Sequence, residues 1–267
     1  MTEKLMEIRD VTQRFRSAER EVVAVSRVSV QVDAGSVTCL VGESGSGKTT
    51  LARIAAGLDK PTAGSIHYQG QDISQLRGPG FMHFRREVQY VHQDPYASLN
   101  PTRTVLSTVL SALGARRNRT RRRATELLER VELTPADLFL ERYPHQLSGG
   151  QRQRVALARA LATEPALIIA DETTSMLDAS IRGSMINLLS ELRDDLGVGF
   201  LFITHDFTLA RHFAWRGRTA VLYLGELVEY GPTPEVMDAP KHAYTKALID
   251  ALPMIRFDDA DVPDGAP

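Results

Sequence analysis

The sequence contains a single cysteine, Cys39, so the chain cannot form an internal disulfide. It also lacks any apolar run near the ~18–20 residues that a membrane-spanning helix needs. The segment Met1–Glu7 has neither the basic nor the apolar region of a secretory signal. A net charge of −1 argues against a strongly basic surface for nucleic acid or anionic membranes. A role at a membrane would therefore require a partner protein.

The composition is that of an ordinary globular protein with a core. Apolar residues make up 43% of the 267 residues and charged residues 24%. This length allows one large domain or two small ones. Cys39 lies in an apolar, strand-like stretch, and we interpret it as a small core residue rather than a reactive thiol.

The pattern of apolar residues predicts alternating strands and helices. The first third reads as strands and turns, with a run rich in β-branched residues at Val22–Val32. A helical block follows from about residue 94 to 162. Two short apolar runs, Leu167–Ala170 and Gly199–Ile203, are typical of buried strands. This alternation predicts an α/β fold with a parallel sheet and an inserted helical lobe.

A helical stripe lies between the two apolar runs. Its members recur at helical spacing, and we expect them to face the core: Ile181, Met185, Leu188, Leu189, Leu192 and Leu196.

The most informative motif is a glycine-rich run directly after the apolar stretch Ser36–Val41. It fits the phosphate-loop pattern GxxxxGK[ST], with a predicted strand before it and a helix after it. Its residues are Gly42, Glu43, Ser44, Gly45, Ser46, Gly47, Lys48, Thr49 and Thr50. Glycines let backbone N–H groups close around phosphate oxygens, and the helix directs its positive end at the same anion. An ordinary strand-to-helix turn would have no use for Lys48 and Thr49 at this offset. We therefore predict a nucleotide site.

A second helix start also suits an anion. Ser148 and Gln151 have capping-box spacing, and Gly149 and Gly150 leave bare N–H groups beside them. Taken alone, this segment reads equally as a plain helix cap with an arginine-rich first turn.

Adjacent carboxylates, Asp171 and Glu172, end the predicted strand that begins at Leu167. Such a pair suits a metal ion and a water molecule beside a transferring phosphate. Without other motifs, the pair would read as a helix cap.

Together these motifs resemble the ATP-binding-cassette (ABC) ATPases, whose signature LSGGQ is matched letter for letter at 147–151. The resemblance spans roughly Leu5 to Leu252. It implies an ABC-type phosphate-loop domain, with a RecA-like parallel-sheet core, an N-terminal antiparallel β-subdomain and an inserted α-helical subdomain. We expect a single domain over residues 1–267, with the helical subdomain at about 94–162 and a C-terminal family extension at about 226–267.

The resemblance implies ATP and Mg²⁺ as cofactors. Lys48 would reach the β- and γ-phosphates, and Phe15 would stack on adenine. In the family, the signature of one subunit binds the γ-phosphate held by the phosphate loop of the other. Ser148, Gly149, Gly150 and Gln151 would therefore serve a partner's ATP. Asp178 would be the main carboxylate of the loop that crosses the dimer interface.

The resemblance also implies the catalytic set. Glu172 would be the general base that polarises water, and His205 would contact the γ-phosphate and orient Glu172. Thr49 and Gln93 would contact Mg²⁺ and Asp171 would be its indirect partner, with Gln93 also connecting to the transmembrane partner. Lys48 would neutralise charge during in-line attack by water.

The sequence departs from the family pattern at two positions. Thr173 follows the catalytic glutamate, where the family usually has proline, and Met176 stands where it usually has alanine. Neither departure removes a catalytic group. Both bear on the hydrolysis rate and on the choice of partner.

Two segments resemble the dipeptide/oligopeptide/nickel importer family. One is the glutamine-loop region, residues 93–101, where we expect Tyr96 and Leu99 to contact a membrane subunit. The other is the C-terminal extension, with residues 225–236 and 241–248. The resemblance implies the ATPase subunit of an importer of peptides or a related small solute. It would lie peripherally on the cytoplasmic side of the cell membrane.

The implied partners are two transmembrane permease subunits, an extracytoplasmic solute-binding protein and a second ABC ATPase subunit. The second cassette would be a paralogue more readily than another copy of this chain, and no nucleic acid is expected. With Cys39 alone, the chain cannot build the iron–sulfur site of some relatives. Relatives carry peptides, nickel complexes and oligosaccharides, and the sequence leaves that choice open.

Two other functions remain open from the sequence. One is a soluble ABC ATPase that acts as a conformational switch on protein or nucleic acid. The other is the cassette of an antimicrobial-peptide exporter, which shares much of this pattern.

One strong charge run, Arg116–Arg123, has two readings. We favour a solvated loop and helix start. The alternative is contact with acidic lipid headgroups or with a partner's acidic loop.

Overall fold

The structure is a computed structural model, and it describes residues 4–16, 21–92, 98–113, 120–173 and 179–251. Its strands are β1 (Lys4–Arg16), β2 (Glu21–Asp33), β3 (Val37–Val41), β4 (Ala63–Tyr68), β5 (Gln71–Asp72), β6 (Val88–Val91), β7 (Leu167–Asp171), β8 (Gly199–Thr204), β9 (Arg218–Tyr223) and β10 (Glu226–Pro232).

Its α-helices are α1 (Lys48–Ala55), α2 (Gly78–Glu87), α3 (Val105–Leu113), α4 (Arg121–Arg130), α5 (Asp137–Leu140), α6 (Gly149–Leu161), α7 (Ala179–Leu196), α8 (Phe207–Ala214), α9 (Thr233–Asp238) and α10 (Ala243–Asp250). Short 3₁₀ turns occur at Ile73–Gln75 and Pro144–Gln146.

The strands form two sheets. A four-stranded sheet has the order β2-β1-β4-β5, and its neighbouring strands are antiparallel. A six-stranded sheet has the order β10-β9-β3-β8-β7-β6. Strands β9, β3, β8, β7 and β6 run parallel, and only β10 is antiparallel to its neighbour. The expected α/β fold, with an antiparallel N-terminal sheet and a helical block, is confirmed.

The parallel strands are buried on both faces. Every residue of β3, β7 and β8 is buried, as expected where other elements cover both sides of a sheet. Successive side chains alternate between the faces, so Phe200 and Phe202 enter one core cluster, whereas Leu201 and Ile203 enter the other. Cys39 is fully buried in the first cluster, and desolvation raises the pKa of its thiol, which confirms the core interpretation.

Aromatic packing fixes α8 against the sheet. The ring of Phe213 makes edge-to-face contacts with Phe200 and Phe202, each with 5.2 Å between ring centroids. This contact packs the end of α8 against the middle of β8.

Two expectations about apolar residues need correction. Leu196 is 44% exposed, since it is the last residue of α7, whereas Met185, Leu188 and Leu192 face the core as predicted. Leu99 is 3% exposed and packs in the core, so its side chain is not a surface contact for a membrane subunit. Tyr96 lies outside the described residues.

The described part of the arginine run begins a helix. Thr120 caps α4 by accepting a hydrogen bond from the N–H of Arg123. Arg121 pairs with Glu141 at 2.6 Å, and Arg122 pairs with Glu126 at 3.1 Å. These exposed ion pairs agree with a solvated helix start. Residues 116–119 lie outside the described residues.

Among the described residues, no helix combines the length and the apolar character that crossing a bilayer requires.

The central strands predict where truncation is most damaging. Leu201→Ala removes a fully buried side chain from β8, and we expect it to lower the free energy of unfolding by about 2–5 kcal/mol. Leu138→Ala is the matched control, because Leu138 is 58% exposed and its truncation should change stability by less than about 0.5 kcal/mol. Urea unfolding followed by circular dichroism measures both. Equal losses would contradict the described core.

Candidate functional site

The candidate site lies at the carboxyl edge of the parallel sheet. Four neighbouring strands, β3, β8, β7 and β6, all point their carboxyl ends at this edge. The residues that follow them are the phosphate loop, His205, Glu172 and His92, respectively. Ligands of open α/β sheets bind at this edge. The strand order thus brings together side chains that are far apart in sequence.

The phosphate loop has a shape that only glycine permits. Gly47 has a φ of 98°, and a Cβ there would overlap the carbonyl oxygen of Ala24 in β2. Gly42 has a φ of 149°, and a Cβ there would overlap the carbonyl oxygen of Leu222 in β9. Both positions therefore pack the loop tightly against neighbouring strands.

Lys48 folds back over the loop that precedes it. Its ammonium donates hydrogen bonds to the carbonyl oxygens of Gly42, at 2.7 Å, and Glu43, at 2.8 Å. Desolvation lowers the pKa of this buried lysine, while the nearby carboxylates of Glu172 and Asp171 oppose that shift. Lys48 thus places a positive charge at the loop, as an anion site requires.

The loop also encloses an unpaired hydroxyl. Ser46 is 3% exposed, and its Oγ has no hydrogen-bond partner. Buried polar atoms are rarely left unpaired in native proteins. The bare backbone, the lysine ammonium and this hydroxyl together fit a group with several acceptor oxygens, such as a polyphosphate.

Asp171 is held between two hydroxyl groups. Thr49, at the start of α1, donates to its Oδ1 at 3.1 Å, and Tyr90, on β6, donates to its Oδ2 at 2.5 Å. Asp171 is 2% exposed, and desolvation raises the pKa of its carboxyl group, which the two hydroxyl donors oppose. Thr49 and Asp171 offer the hard oxygen ligands that Mg²⁺ prefers. Tyr90 was not foreseen from the sequence.

Within the described residues, no group of three or more His, Cys, Asp or Glu side chains is arranged around a metal position. Mg²⁺ sites of nucleotide enzymes typically use one or two protein oxygens, with phosphates and water completing the shell. The pair of Thr49 and Asp171 fits that pattern.

Glu172 and His205 meet at the same edge. Their side chains approach to 3.7 Å between Nδ1 of His205 and Oε1 of Glu172. Glu172 has a φ of 44°, and its N–H donates to the carbonyl oxygen of Ile203 on the neighbouring strand at 3.0 Å. The positive φ turns the chain just after β7, and the side chain of Glu172 lines an open cleft. A carboxylate placed beside solvent in this way can accept a proton from water.

The cleft beside the loop has a volume of about 400 Å³, which is within the range of small-molecule sites. Its lining joins the loop to residues of the carboxyl edge and of the C-terminal helix: Gly42, Glu43, Ser44, Glu172, His205, Phe207 and Leu248.

The C-terminal helix α10 contributes to this site, which the sequence did not predict. The hydroxyl of Tyr244 accepts a hydrogen bond from the N–H of Glu43 at 3.2 Å, and Leu248 lines the cleft. The ring of Tyr244 also packs on Tyr223 of β9, with 4.1 Å between centroids. The only sequence signal was the segment 241–248 itself, which carried no assigned role.

The signature segment lies apart from this cleft. Ser148 caps α6, and its Oγ accepts from the N–H of Gln151 at 3.3 Å while the Gln151 side chain accepts from the N–H of Ser148 at 3.0 Å. The predicted capping box is therefore present. Gly149 faces open space, and none of the residues 148–151 belongs to the described lining of the cleft.

The remaining predicted site residues fall in two groups. Phe15 lies on β1 with half of its surface exposed, opposite the exposed Val22 of β2. It is not among the residues that line the described cleft. Gln93 and Asp178 lie outside the described residues.

The chain matches two protein-family models. The ABC transporter model matches residues 25–175, and the model of the oligopeptide/dipeptide transporter C-terminal region matches residues 228–265. The chain is also 41% identical over 263 residues to the glutathione import ATP-binding protein GsiA of Pectobacterium atrosepticum. It is 42% identical over the same length to GsiA of Escherichia coli K12. Each match covers 94% of this chain and 42% of the relative, so the chain spans less than half the length of these proteins.

Solved structures of cassettes resemble this fold. One is the dimeric, post-hydrolysis state of the ATP-binding cassette MJ0796 bound to ADP and Pi, with a TM-score of 0.76 and 33% identity. That match covers 86% of this chain and 99% of the cassette. Another is cbiO1 of Clostridium perfringens, part of the ABC transporter complex cbiONQ, with a TM-score of 0.76 and 26% identity over 89% of this chain and 92% of cbiO1. With a family model over more than half of its length and a cassette matched almost end to end, this chain belongs to the ABC transporter family.

Proposed function

We propose that this chain is the ATP-binding and ATP-hydrolysing subunit of an importer that takes up peptides or a related small solute. The observation that carries the proposal is the meeting of Lys48, Thr49, Asp171, Glu172 and His205 at one edge of the sheet, beside an open cleft. The match of the C-terminal region to oligopeptide and dipeptide transporters supports the importer assignment.

The phosphate loop binds the triphosphate in this proposal. Residues Gly42 to Thr50 supply bare N–H groups and the helix start, and Lys48 supplies the positive charge. Binding an anion beside Lys48 offsets the desolvation that lowers the pKa of its ammonium. Phe15, which is half exposed on β1, stacks on the adenine.

Thr49 and Asp171 serve Mg²⁺, and Gln93 completes the protein side of this site. The ion, when bound, neutralises charge on the phosphates during transfer. Glu172 acts as the general base that accepts a proton from the attacking water. His205 lies 3.7 Å from Glu172 and holds that carboxylate in position.

The signature segment acts on a second cassette. Because residues 148–151 stand apart from this chain's own cleft, their exposed helix start is available to the nucleotide of a partner. Asp178 contributes a carboxylate to the same interface. Dimeric assembly is known for the cassette MJ0796, which this chain resembles.

We propose that the chain forms one domain over residues 1–267, with a helical subdomain at about 94–162 and a C-terminal extension at about 226–267. The extension supplies Tyr244 and Leu248 to the nucleotide cleft, which supports its place within the same domain.

The proposed partners are two permease subunits, a second cassette and an extracytoplasmic solute-binding protein. The chain would be a peripheral protein on the cytoplasmic side of the membrane. The relatives named for glutathione import make glutathione, a tripeptide, the first solute to test. The next solutes to test are other peptides, nickel complexes and oligosaccharides.

If Glu172 is the general base, its substitution should slow ATP hydrolysis but leave ATP affinity unchanged. Glu172→Gln keeps the size of the side chain but removes the carboxylate, so we expect ATP hydrolysis to fall by about 100-fold or more. ATP affinity should stay within about twofold, because the phosphate loop is unchanged. Phosphate release and isothermal titration calorimetry measure the two quantities. The control is Glu226→Gln, which changes an exposed glutamate of β10 and should leave hydrolysis unchanged. Full turnover in Glu172→Gln would exclude Glu172 as the base.

Substitution of the lysine in the phosphate loop should weaken ATP binding itself, unlike Glu172→Gln. Lys48→Ala removes the positive charge, and we expect ATP affinity to fall by about tenfold or more because a charge-assisted hydrogen bond is lost. Lys60→Ala, at an exposed lysine, is the matched control. Calorimetric titration measures the ATP affinity of both variants, after a check that their melting temperatures agree. Undiminished affinity in Lys48→Ala would contradict its proposed role.

The importer assignment predicts which proteins co-purify with the chain. We expect the tagged chain, purified from gently solubilised native membranes, to carry two multi-span permeases, a second cassette and a solute-binding protein. Mass spectrometry of the purified material identifies them, with untagged cells as the control. Recovery without membrane partners would favour the soluble switch. Recovery with membrane proteins but no binding protein would favour the exporter.

A further inference from the structure

Tyr90 joins two neighbouring strands at the carboxyl edge of the sheet. It lies on β6, one residue before the end of that strand, and it pairs with Ile169 of β7. Its hydroxyl reaches past this position to Asp171, the last residue of β7, and donates to Oδ2 at 2.5 Å. The contact is shorter than a typical neutral O–H···O bond and falls in the range of charge-assisted bonds to a carboxylate.

The two oxygens of Asp171 receive one donor each. Thr49 donates to Oδ1, and Tyr90 donates to Oδ2. The terminal rotation of an aspartate side chain is otherwise broad, because its sp³–sp² torsion has no sharp minima. Two donors from two different elements, α1 and β6, therefore define one orientation of the carboxylate.

The ring of Tyr90 is itself held in place. It makes an edge-to-face contact with His92, with 4.6 Å between ring centroids and 72° between the ring planes. Its hydroxyl is thus presented to Asp171 from a supported position, as groups behind a metal ligand commonly are.

We propose that Tyr90 is a positioning residue for the Mg²⁺·ATP site, where its hydroxyl fixes Asp171 so that the oxygen facing Thr49 stays aligned. This inference rests on the proposed function, in which Thr49 and Asp171 serve Mg²⁺. Removing a hydrogen bond behind a metal ligand typically lowers metal affinity by about 10- to 100-fold. Without the hydroxyl, Oδ2 of Asp171 is also left buried without its donor.

The test measures nucleotide binding rather than hydrolysis. The affinity of the full chain for ATP is titrated by calorimetry across a series of Mg²⁺ concentrations and in EDTA. For Tyr90→Phe, we expect the Mg²⁺ concentration that gives half of the affinity gain to rise by about tenfold. The affinity in EDTA should be unchanged, because the phosphate loop does not contact the lost hydroxyl.

A matched tyrosine serves as the control. Tyr68 on β4 is 5% exposed, and its hydroxyl also donates to a carboxylate, that of Glu87, at 3.4 Å. Burial raises the pKa of both tyrosines, so Tyr68→Phe loses a comparable buried hydroxyl away from the site. We expect Tyr68→Phe to leave the Mg²⁺ dependence unchanged.

A second substitution separates the hydroxyl from the ring. Tyr90→Met keeps an apolar side chain without the ring or the hydroxyl, and we expect the same shift in Mg²⁺ dependence as for Tyr90→Phe. A shift in Tyr90→Met alone would assign the effect to packing and overturn the proposal.

The variant Asp171→Asn separates the proposal about Tyr90 from the proposed Mg²⁺ role of Asp171, on which it rests. If Asp171→Asn keeps the full Mg²⁺ dependence, the proposed Mg²⁺ role of Asp171 is wrong, and the inference about Tyr90 falls with it. If Asp171→Asn loses that dependence while Tyr90→Phe behaves like Tyr68→Phe, the Mg²⁺ role of Asp171 stands and only the Tyr90 inference is overturned.

Discussion

The order of the parallel strands is the constraint on which the rest of this structure depends. Strand β3 lies between β9 and β8, and β7 lies between β8 and β6. Because parallel strands share a direction, the segments that follow β3, β6, β7 and β8 emerge along one edge. Burial of both faces packs this order tightly, since the central strands supply side chains to both core clusters.

The site built on this edge contains ionisable groups whose charged forms are poorly solvated. Burial lowers the pKa of Lys48 and raises the pKa of Asp171, so desolvation works against the charged form of each. A ligand that brings negative charge to the lysine and positive charge to the carboxylate relieves both effects. Binding of such a ligand to the folded chain alone also stabilises the fold by mass action.

The C-terminal extension is fastened to the cassette by polar contacts of its own. The carboxylate of Glu229 on β10 accepts hydrogen bonds from the N–H groups of Lys241 and His242, at 2.8 and 3.1 Å. His242 then caps α10 through its side chain. This anchoring presents Tyr244 to the phosphate loop. The part of the chain that resembles peptide transporters thereby contacts the phosphate loop.

The sequence alone determined the local features of this protein. Gly47 and Lys48 mark the phosphate loop, because only glycine tolerates the backbone at position 47 and Lys48 bonds to the carbonyl oxygens of the loop that precedes it. Ser148 and Gln151 predicted their capping box, since that bond spans three residues. The short apolar strands predicted a parallel sheet, because their composition reflects burial on both faces.

Tertiary structure decided what distant residues do together. The hydrogen bond from Tyr90 to Asp171 joins residues 81 positions apart, and that from Glu43 to Tyr244 joins residues 201 positions apart. The sequence prediction was wrong for Leu99, which is buried, and for Leu196, which is exposed. Neighbouring elements decide which side of a segment is covered, and a local pattern does not record them. Periodicity and motifs record local geometry, whereas contacts between strands and helices exist only once the order of the sheet is set.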